Sequence, residues 1–174
     1  MPFGLANAPA TFQAYINRAL AGLVDVLCVV YLDDILIYTH DADLERHWIA
    51  VRKVLDRLRN AQLFANLKKC SFAVSQVEYL GFIVSTEGVQ ADPKRVATIQ
   101  EWPAPHTIKE LQGFLGLTNF YRRFIAGYSR IVAPLTALTR KDAVWQWEGD
   151  AERAFNQLID AFQHAPILRH FNVS

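Results

Sequence analysis

Apolar residues recur along this chain with two different periods, and the changes of period separate helical from extended segments. Helical spacing is typical of the stretch carrying Phe12, Ile16 and Leu23, with Asn7 as a suitable helix cap. The run from Val26 to Tyr38 is almost continuously apolar instead. Such a run predicts two strands that are buried on both faces.

A second helix is predicted after Asp43, which can cap its amino terminus. Its apolar face would carry Trp48, Val51, Leu55 and Leu58. We interpret the opposite, basic face as a solvated helix surface; it carries Arg52, Lys53, Arg57 and Arg59. The pattern from residue 77 to residue 84 then predicts further strand, with a hairpin turn over residues 85–89.

Helices are the main prediction for the remainder of the chain. Asp92-Pro93 is typical of a helix start, and Thr107 with Glu110 forms a capping box. Between them, the Pro-rich stretch of residues 102–106 predicts a stiff connector and an internal boundary. Pro134 is expected to interrupt a helix early, and a last helix is predicted from Asp150 to about residue 164.

Composition adds little that identifies a partner. The chain has 174 residues, 52% of them hydrophobic, and 18 basic against 17 acidic residues give a net charge of +1. This length suits one domain or two small ones, and the element order predicts an α+β part followed by an α-rich part. Cys28 and Cys70 have no zinc or disulfide spacing, so a reducing compartment is the default. No signal peptide or membrane span is predicted.

Two adjacent carboxylates, Asp33 and Asp34, interrupt the apolar strand pair. Two-residue hairpin turns favour Asn-Gly or Asp-Gly, so Asp-Asp is a strained choice for a purely structural turn. Two carboxylates roughly 4 Å apart repel by about 1 kcal/mol in water and about 4 kcal/mol at an effective dielectric near 20. A divalent cation reverses that sign, and nucleotidyl transfer uses such sites. A metal site and an ordinary surface turn both remain open on these grounds.

Tyr31-Leu32-Asp33-Asp34 resembles the Tyr-x-Asp-Asp signature of reverse transcriptases. The resemblance extends in order and spacing over essentially the whole chain, to the enzymes of LTR retrotransposons of the Ty3/gypsy type and of retroviruses. Its other segments are Met1 to Phe12, Lys68 to Phe72, Val77 to Gly81, Leu111 to Ile125, and Trp147 to Pro166.

The resemblance implies an α+β fold: a partial polymerase palm, an antiparallel sheet with helices on one face, followed by a helical thumb. Residues 1–90 would be the C-terminal part of the palm with its primer grip. Residues 91–142 would be the thumb, and residues 143–174 the start of the connection segment that leads to an RNase H domain.

Site residues follow from the same resemblance. Asp33 and Asp34 are expected to bind metal, and Lys68 or Lys69 to protonate the pyrophosphate leaving group. Contacts with template, primer or nucleotide are expected from the opening loop, the palm and primer grip, and the thumb: Pro2, Phe3, Gly4, Tyr31, Tyr79, Leu80, Gly81, Gln112, Gly113, Gly116, Arg122 and Arg123.

Several of these residues have a purely structural alternative. Gly113 and Gly116 would serve equally for tight helix packing. Arg122 and Arg123 would be surface charges, the lysine pair a solvated turn, and Tyr79 an ordinary core residue.

The family relation implies Mg²⁺ or Mn²⁺ as cofactor, two ions in the complete enzyme, an RNA or DNA template with a DNA primer, and deoxynucleoside triphosphates. It also implies a third aspartate upstream, together with fingers and RNase H portions of the polyprotein. We therefore expect RNA-directed DNA polymerisation in the context of the longer protein, and an inactive, marginally stable isolated chain. An intracellular location is expected, in a cytoplasmic retroelement particle or the nucleus, with no membrane partner.

Two alternatives stay open. In the first, the chain is a catalytically inactive remnant that binds nucleic acid or protein and self-associates to cover the open sheet. In the second, it is a structural α+β domain in which the aspartates only form a turn.

Overall fold

A computed structural model describes residues 6–40 and 43–168. The chain divides into two compact units, Met1–Leu80 and Gly81–Ser174. The division follows Leu80 rather than residue 90, whereas the assignment of three functional regions remains a prediction. Mixed helices and antiparallel strands confirm the α+β class.

The described residues of the first unit form two α-helices and three short strands. Helix α1 spans Ala8–Ala19, β1 Cys28–Tyr31, β2 Asp34–Ile37, α2 Leu44–Asn60 and β3 Gln76–Tyr79. Strands β1 and β2 pair in antiparallel register, with Cys28 opposite Ile37 and Tyr31 opposite Asp34. The core between this hairpin and the helices consists of Ile16, Leu20, Cys28, Val54 and Leu58.

Two predictions about burial in this unit are wrong. Val29 and Tyr31 are exposed, so β1 is not covered on both faces. Trp48 is 39% exposed, because the buried stripe of α2 runs through Ala50, Val51, Val54 and Leu58 instead. The Trp48 ring stacks on Phe72 at the surface, with ring centroids 6.2 Å apart. An aromatic side chain therefore finds a partner outside the core.

In the second unit, described up to Leu168, five α-helices pack around a hydrophobic core beside a strand pair. Strands β4 (Phe82–Ser85) and β5 (Val89–Ala91) are antiparallel, and Val89 also pairs with Leu168 through two 2.8 Å backbone hydrogen bonds. The helices are α3 (Pro93–Gln100), α4 (Ile108–Phe120), α5 (Tyr128–Ile131), α6 (Ala133–Leu138) and α7 (Asp150–Gln163). Fully buried side chains from α3, α4, α6 and α7 form the core's centre: Ile99, Leu111, Phe114, Leu135 and Leu158.

Helix starts follow the predicted capping chemistry at three of four positions. Asp43 accepts hydrogen bonds from the amides of Glu45 and Arg46, and Asp92 accepts one from Lys94. Thr107 accepts from the amide of Glu110, whose carboxylate in turn accepts from the amide of His106. That last bond is the main cause of the lowered pKa of Glu110. Asn7 occupies the cap position of α1 without a side-chain cap bond.

Proline positions bear on two further predictions. The helical run of residues 128–138 is interrupted at Val132, between α5 and α6, as Pro134 predicts. Pro134 itself lies in the first turn of α6, where its missing N–H has no partner to lose. The connector of residues 102–106 is not the boundary between units, because Pro105 is buried and the Trp102 ring packs on Phe114. No helix within residues 6–40 and 43–168 is long and apolar enough to cross a membrane.

Candidate metal and nucleic-acid site

The carboxylate pair lies at the tip of the β1–β2 hairpin. Because Tyr31 pairs with Asp34, the two turn residues are Leu32 and Asp33, and Asp34 already belongs to β2. Leu32 has a positive φ of 50°, whereas neither aspartate does. The turn backbone is therefore strained as predicted, but the strained residue is Leu32 and not an aspartate. A leucine in this conformation is unusual and persists only where neighbouring groups hold it.

Both carboxylates are exposed and available to a cation. Within the described ranges, neither the Asp33 nor the Asp34 side chain makes a hydrogen bond or an ion pair with another residue, and no group of three or more His, Cys, Asp or Glu side chains is placed to bind a metal. Mg²⁺ is characteristically bound by one or two carboxylates together with water and substrate phosphates. The donor set of the hairpin therefore fits Mg²⁺ or Mn²⁺ as a partial ligand set.

Tyr79 of β3 contacts the backbone of the same hairpin. Its hydroxyl lies 3.3 Å from the carbonyl oxygen of Val29 and 3.4 Å from that of Asp34, one on each strand. The phenol has a single hydrogen, which it donates to a position shared by the two carbonyl oxygens. The hydroxyl thereby links the two strands just behind the turn. Tyr79 is thus more than a core residue, and its hydroxyl faces the hairpin. Its contact with primer remains a prediction.

Burial, followed by the negative charge of Asp34, raises the pKa of Tyr79 to about 12. Since this pKa lies above the value of about 10 in an unfolded chain, the neutral phenol stabilises the fold fully below about pH 10. That contribution is lost as the pH rises towards 12.

We expect a spectrophotometric difference titration, wild type minus Tyr79→Phe, to show one tyrosine that ionises near pH 12. In Asp34→Asn this pKa should fall, but not to about 10, because burial is the larger cause. Ionisation of Tyr79 together with the other tyrosines near pH 10 would contradict the contact with the hairpin.

Cys28 is the first residue of β1, and its side chain is fully buried. Burial, followed by the charge of Asp25, raises the pKa of its thiol. A buried thiol with a raised pKa is a small hydrophobic side chain and a poor nucleophile. Cys28 therefore supports the hairpin by packing.

Other predicted palm residues have different outcomes. Tyr31 is 57% exposed beside the turn, opposite Asp34, where its ring is open to a ligand. Lys68 and Lys69 lie in an exposed 3₁₀ turn that is capped by Asn66. Neither lysine forms an ion pair with the aspartates in the part of the chain that the structure describes, so their role remains a prediction. Pro2, Phe3 and Gly4 lie outside the described residues.

The predicted primer grip includes a tight reversal of the chain at Leu80 and Gly81, with φ of 52° and 80°. The buried Tyr121 donates a hydrogen bond of 2.9 Å from its hydroxyl to the carbonyl oxygen of Gly81. A Cβ at residue 81 would lie only 3.1 Å from that hydroxyl. Glycine is therefore required at residue 81 for both conformation and space.

Helix α4 presents an exposed face on which the predicted thumb residues lie. Gln112, Gly113 and Gly116 are all exposed on it. A Cβ at Gly113 would meet only the Trp102 ring at 3.8 Å, and a Cβ at Gly116 would meet nothing within 4 Å. Tight helix packing therefore does not require either glycine. Each glycine nevertheless destabilises a helix interior by about 1 kcal/mol relative to alanine.

Arg122 and Arg123 follow α4 in a short 3₁₀ turn. Both side chains are exposed, and together with Asn119, Phe82, Phe120 and Phe124 they line a shallow pocket. The Phe82 ring stacks between the rings of Phe120 and Phe124, with centroids 5.1 and 6.0 Å away. Two cations beside an aromatic cluster suit contact with a nucleic-acid backbone.

One residue of the site was not predicted from the sequence. Gln13 of α1 hydrogen-bonds through its side chain to the backbone of Val30 and Leu32. The only signal for it would have been a polar residue on the half-buried side of an amphipathic helix.

The first 84 residues match the family described as reverse transcriptase (RNA-dependent DNA polymerase). The chain is 48% identical over 140 residues to the retrovirus-related Pol polyprotein from transposon opus of Drosophila melanogaster, covering 80% of the chain and 14% of that relative. It is 37% identical over all 174 residues to the transposon Tf2-3 polyprotein of Schizosaccharomyces pombe, covering 13% of that relative. The chain thus spans about one seventh of these curated relatives.

Solved structures show the same relationship. A foamy viral protease-reverse transcriptase in complex with double-stranded DNA is 32% identical, with a TM-score of 0.85 over 97% of this chain and 29% of that chain. The foamy viral protein in complex with an RNA/DNA hybrid gives a TM-score of 0.82, also at 32% identity, over 97% of this chain and 23% of that chain.

The hairpin, the α+β fold and these matches show that the chain is similar to one segment of retroelement Pol polyproteins. The chain belongs to the reverse transcriptase family, and its relatives are polyproteins of Ty3/gypsy-type retrotransposons. The resemblance found in the sequence is therefore confirmed.

Proposed function

We propose that this chain is the part of a reverse transcriptase that carries two metal-binding aspartates and the primer-side nucleic-acid contacts. In the longer polyprotein it would take part in RNA-directed DNA polymerisation from deoxynucleoside triphosphates. The observation that carries the proposal is the pair of exposed, unpaired carboxylates at a braced hairpin tip, inside the segment that matches the reverse transcriptase family.

Asp33 and Asp34 would hold Mg²⁺ or Mn²⁺, with a second ion in the complete enzyme. A divalent cation supplies charge neutralisation for the triphosphate and acidifies the primer 3′-hydroxyl. Tyr31 would contact the primer terminus, and Lys68 or Lys69 would give a proton to the departing pyrophosphate. These roles follow the family resemblance, and the exposure of all three residues supports them.

Nucleic-acid contacts are proposed for the face of α4 and the arginine pair that follows it. Exposed glycines that packing does not require allow a polynucleotide backbone to approach the helix closely. Arg122 and Arg123 would neutralise phosphates. The chain in both foamy viral complexes with nucleic acid has this fold, which supports a duplex as the partner.

A second candidate is duplex binding without catalysis by this chain alone. This candidate is favoured because the predicted thumb residues and the aspartates lie in different units, each of which has its own core. Primer extension with Mg²⁺ or Mn²⁺ separates the two candidates. Incorporation by the 174-residue chain would exclude the second candidate. If only a longer polyprotein fragment incorporates nucleotides while the 174-residue chain binds duplex, the short chain binds without catalysis and the longer fragment polymerises.

The arginine pair is tested by the salt dependence of binding to a primer–template duplex, followed by fluorescence anisotropy. Replacing Arg122 and Arg123 by alanine should reduce the slope of log K against log salt by about 1–2, since each phosphate contact contributes about 0.9. The matched control replaces the exposed Arg140 and Lys141 of the same unit by alanine, with the same change in charge. Equal losses in both variants would show that only net charge matters.

A further inference from the structure

The Leu32–Asp33 turn depends on a conformation that its own sequence disfavours. Leu32 has φ of 50°, in the left-handed region where a side chain on Cβ is crowded, and the turn contains no glycine. A turn of this kind needs contacts from elsewhere in the fold to populate one conformation. Asp33 is the second residue of this turn and Asp34 follows it directly, so the position of both carboxylates depends on those contacts.

The side chain of Gln13 supplies such contacts. Its Oε1 accepts a hydrogen bond of 2.6 Å from the Leu32 amide, and its Nε2 donates to the carbonyl oxygen of Val30 at 3.3 Å. The same Nε2 donates to Oδ1 of Asn17 at 2.9 Å. The acceptor and both amide hydrogens are therefore in use, which fixes the orientation of the amide group.

Gln13 is itself held firmly, because α1 is anchored in the core of the first unit. Ile16 is 3% exposed and Leu20 is fully buried, one and two helical turns beyond Gln13. Gln13 therefore connects a packed helix to the strained turn, across 19 residues of sequence.

We infer that Gln13 is a positioning residue of the metal site: it holds the Leu32–Asp33 turn in one conformation so that the two carboxylates are arranged before a cation arrives. The inference rests on the proposed metal-binding role of Asp33 and Asp34. Groups that orient metal ligands through hydrogen bonds act in this way, and their removal weakens metal affinity without removing a ligand.

Two readouts on the 174-residue chain test this inference: amide hydrogen exchange of Leu32, and Mn²⁺ affinity from the electron paramagnetic resonance of free Mn²⁺. Gln13→Met keeps the length of the side chain but removes both hydrogen-bonding groups. Gln13→Glu keeps an acceptor for the Leu32 amide. Gln157→Met, at an exposed position within α7, is the control for the same change in a helix.

In Gln13→Met, Leu32 exchange should become about fivefold to tenfold faster while exchange within α2 is unchanged. Mn²⁺ affinity should fall about tenfold. Gln13→Glu should retain the slow exchange of Leu32, and Gln157→Met should match the wild type in both readouts.

The inference is overturned if Leu32 exchanges equally fast in the wild type and Gln13→Met, or if its faster exchange is matched throughout the first unit. It is also overturned if Mn²⁺ affinity is unchanged in Gln13→Met. A wild-type chain that binds no Mn²⁺ would instead refute metal binding by Asp33 and Asp34 within these 174 residues. Leu32 exchange would then still decide whether Gln13 holds the turn.

Discussion

Replacing either hairpin aspartate by asparagine is expected, under the proposed function, to reduce nucleotide incorporation by a longer polyprotein fragment that includes these 174 residues by about 10²- to 10³-fold or more. This magnitude is typical for loss of one preorganised electrostatic group. Asparagine keeps the size of the side chain but removes the charge that would hold Mg²⁺. Asp33 and Asp34 have no side-chain partner within the described ranges, so no internal contact is lost with the charge. The free energy of unfolding should change by no more than about 0.5 kcal/mol.

The control for this experiment is Glu87→Gln, which removes an exposed carboxylate from the other hairpin turn. Incorporation and Mn²⁺ binding should match the wild type in this variant. Full activity in both Asp33→Asn and Asp34→Asn would show that the two aspartates only form a turn and do not bind the metal. A loss of activity accompanied by unfolding would assign the aspartates a structural role instead.

Local chemistry made the helix starts predictable from the sequence. A cap acts within four residues, so Asp43, Asp92 and Thr107 could be identified without knowledge of the tertiary fold. The carboxylate pair could be singled out for a similar reason, because two adjacent carboxylates inside an apolar run are unusual in any fold; its metal role stays a prediction.

Strand register and long-range contacts were harder to predict from the sequence. The aspartates were placed together in the turn, whereas strand pairing places the turn one residue earlier, and an apolar pattern does not determine that shift. Trp48 was assigned to a buried face by periodicity, but the helix buries smaller side chains and leaves the indole on Phe72.

Contacts between distant residues account for the parts of the site that could not be predicted. Gln13 lies 19 residues before Leu32, and Tyr79 lies 45 to 50 residues after the carbonyl groups it contacts. Neither pairing leaves a local sequence signal, since only the folded chain brings these groups together. The sequence therefore indicates candidate ligand-binding residues more readily than the residues that hold them in place.

Phe114→Ala is expected to have the largest effect on stability, lowering the free energy of unfolding of the second unit by about 3–5 kcal/mol. The Phe114 ring is fully buried, 4.7 Å from the Phe155 ring and 5.9 Å from that of Trp102 between centroids. Truncation leaves a cavity where the Phe114 ring of α4 meets the Phe155 ring of α7. A domain is typically stable by about 5–15 kcal/mol, so this loss is a large fraction of the total.

Tryptophan fluorescence during urea unfolding of a Trp48→Phe background measures this effect, since the other three tryptophans, Trp102, Trp145 and Trp147, belong to the second unit. Phe64→Ala is the matched control: Phe64 is 95% exposed, so the same truncation should change the free energy of unfolding by at most about 0.5 kcal/mol. Similar midpoints for Phe114→Ala and the wild type would contradict the assignment of Phe114 to the core. Because α4 also carries Gln112 and Gly116, duplex binding should be lost over the same urea range in which this unit unfolds.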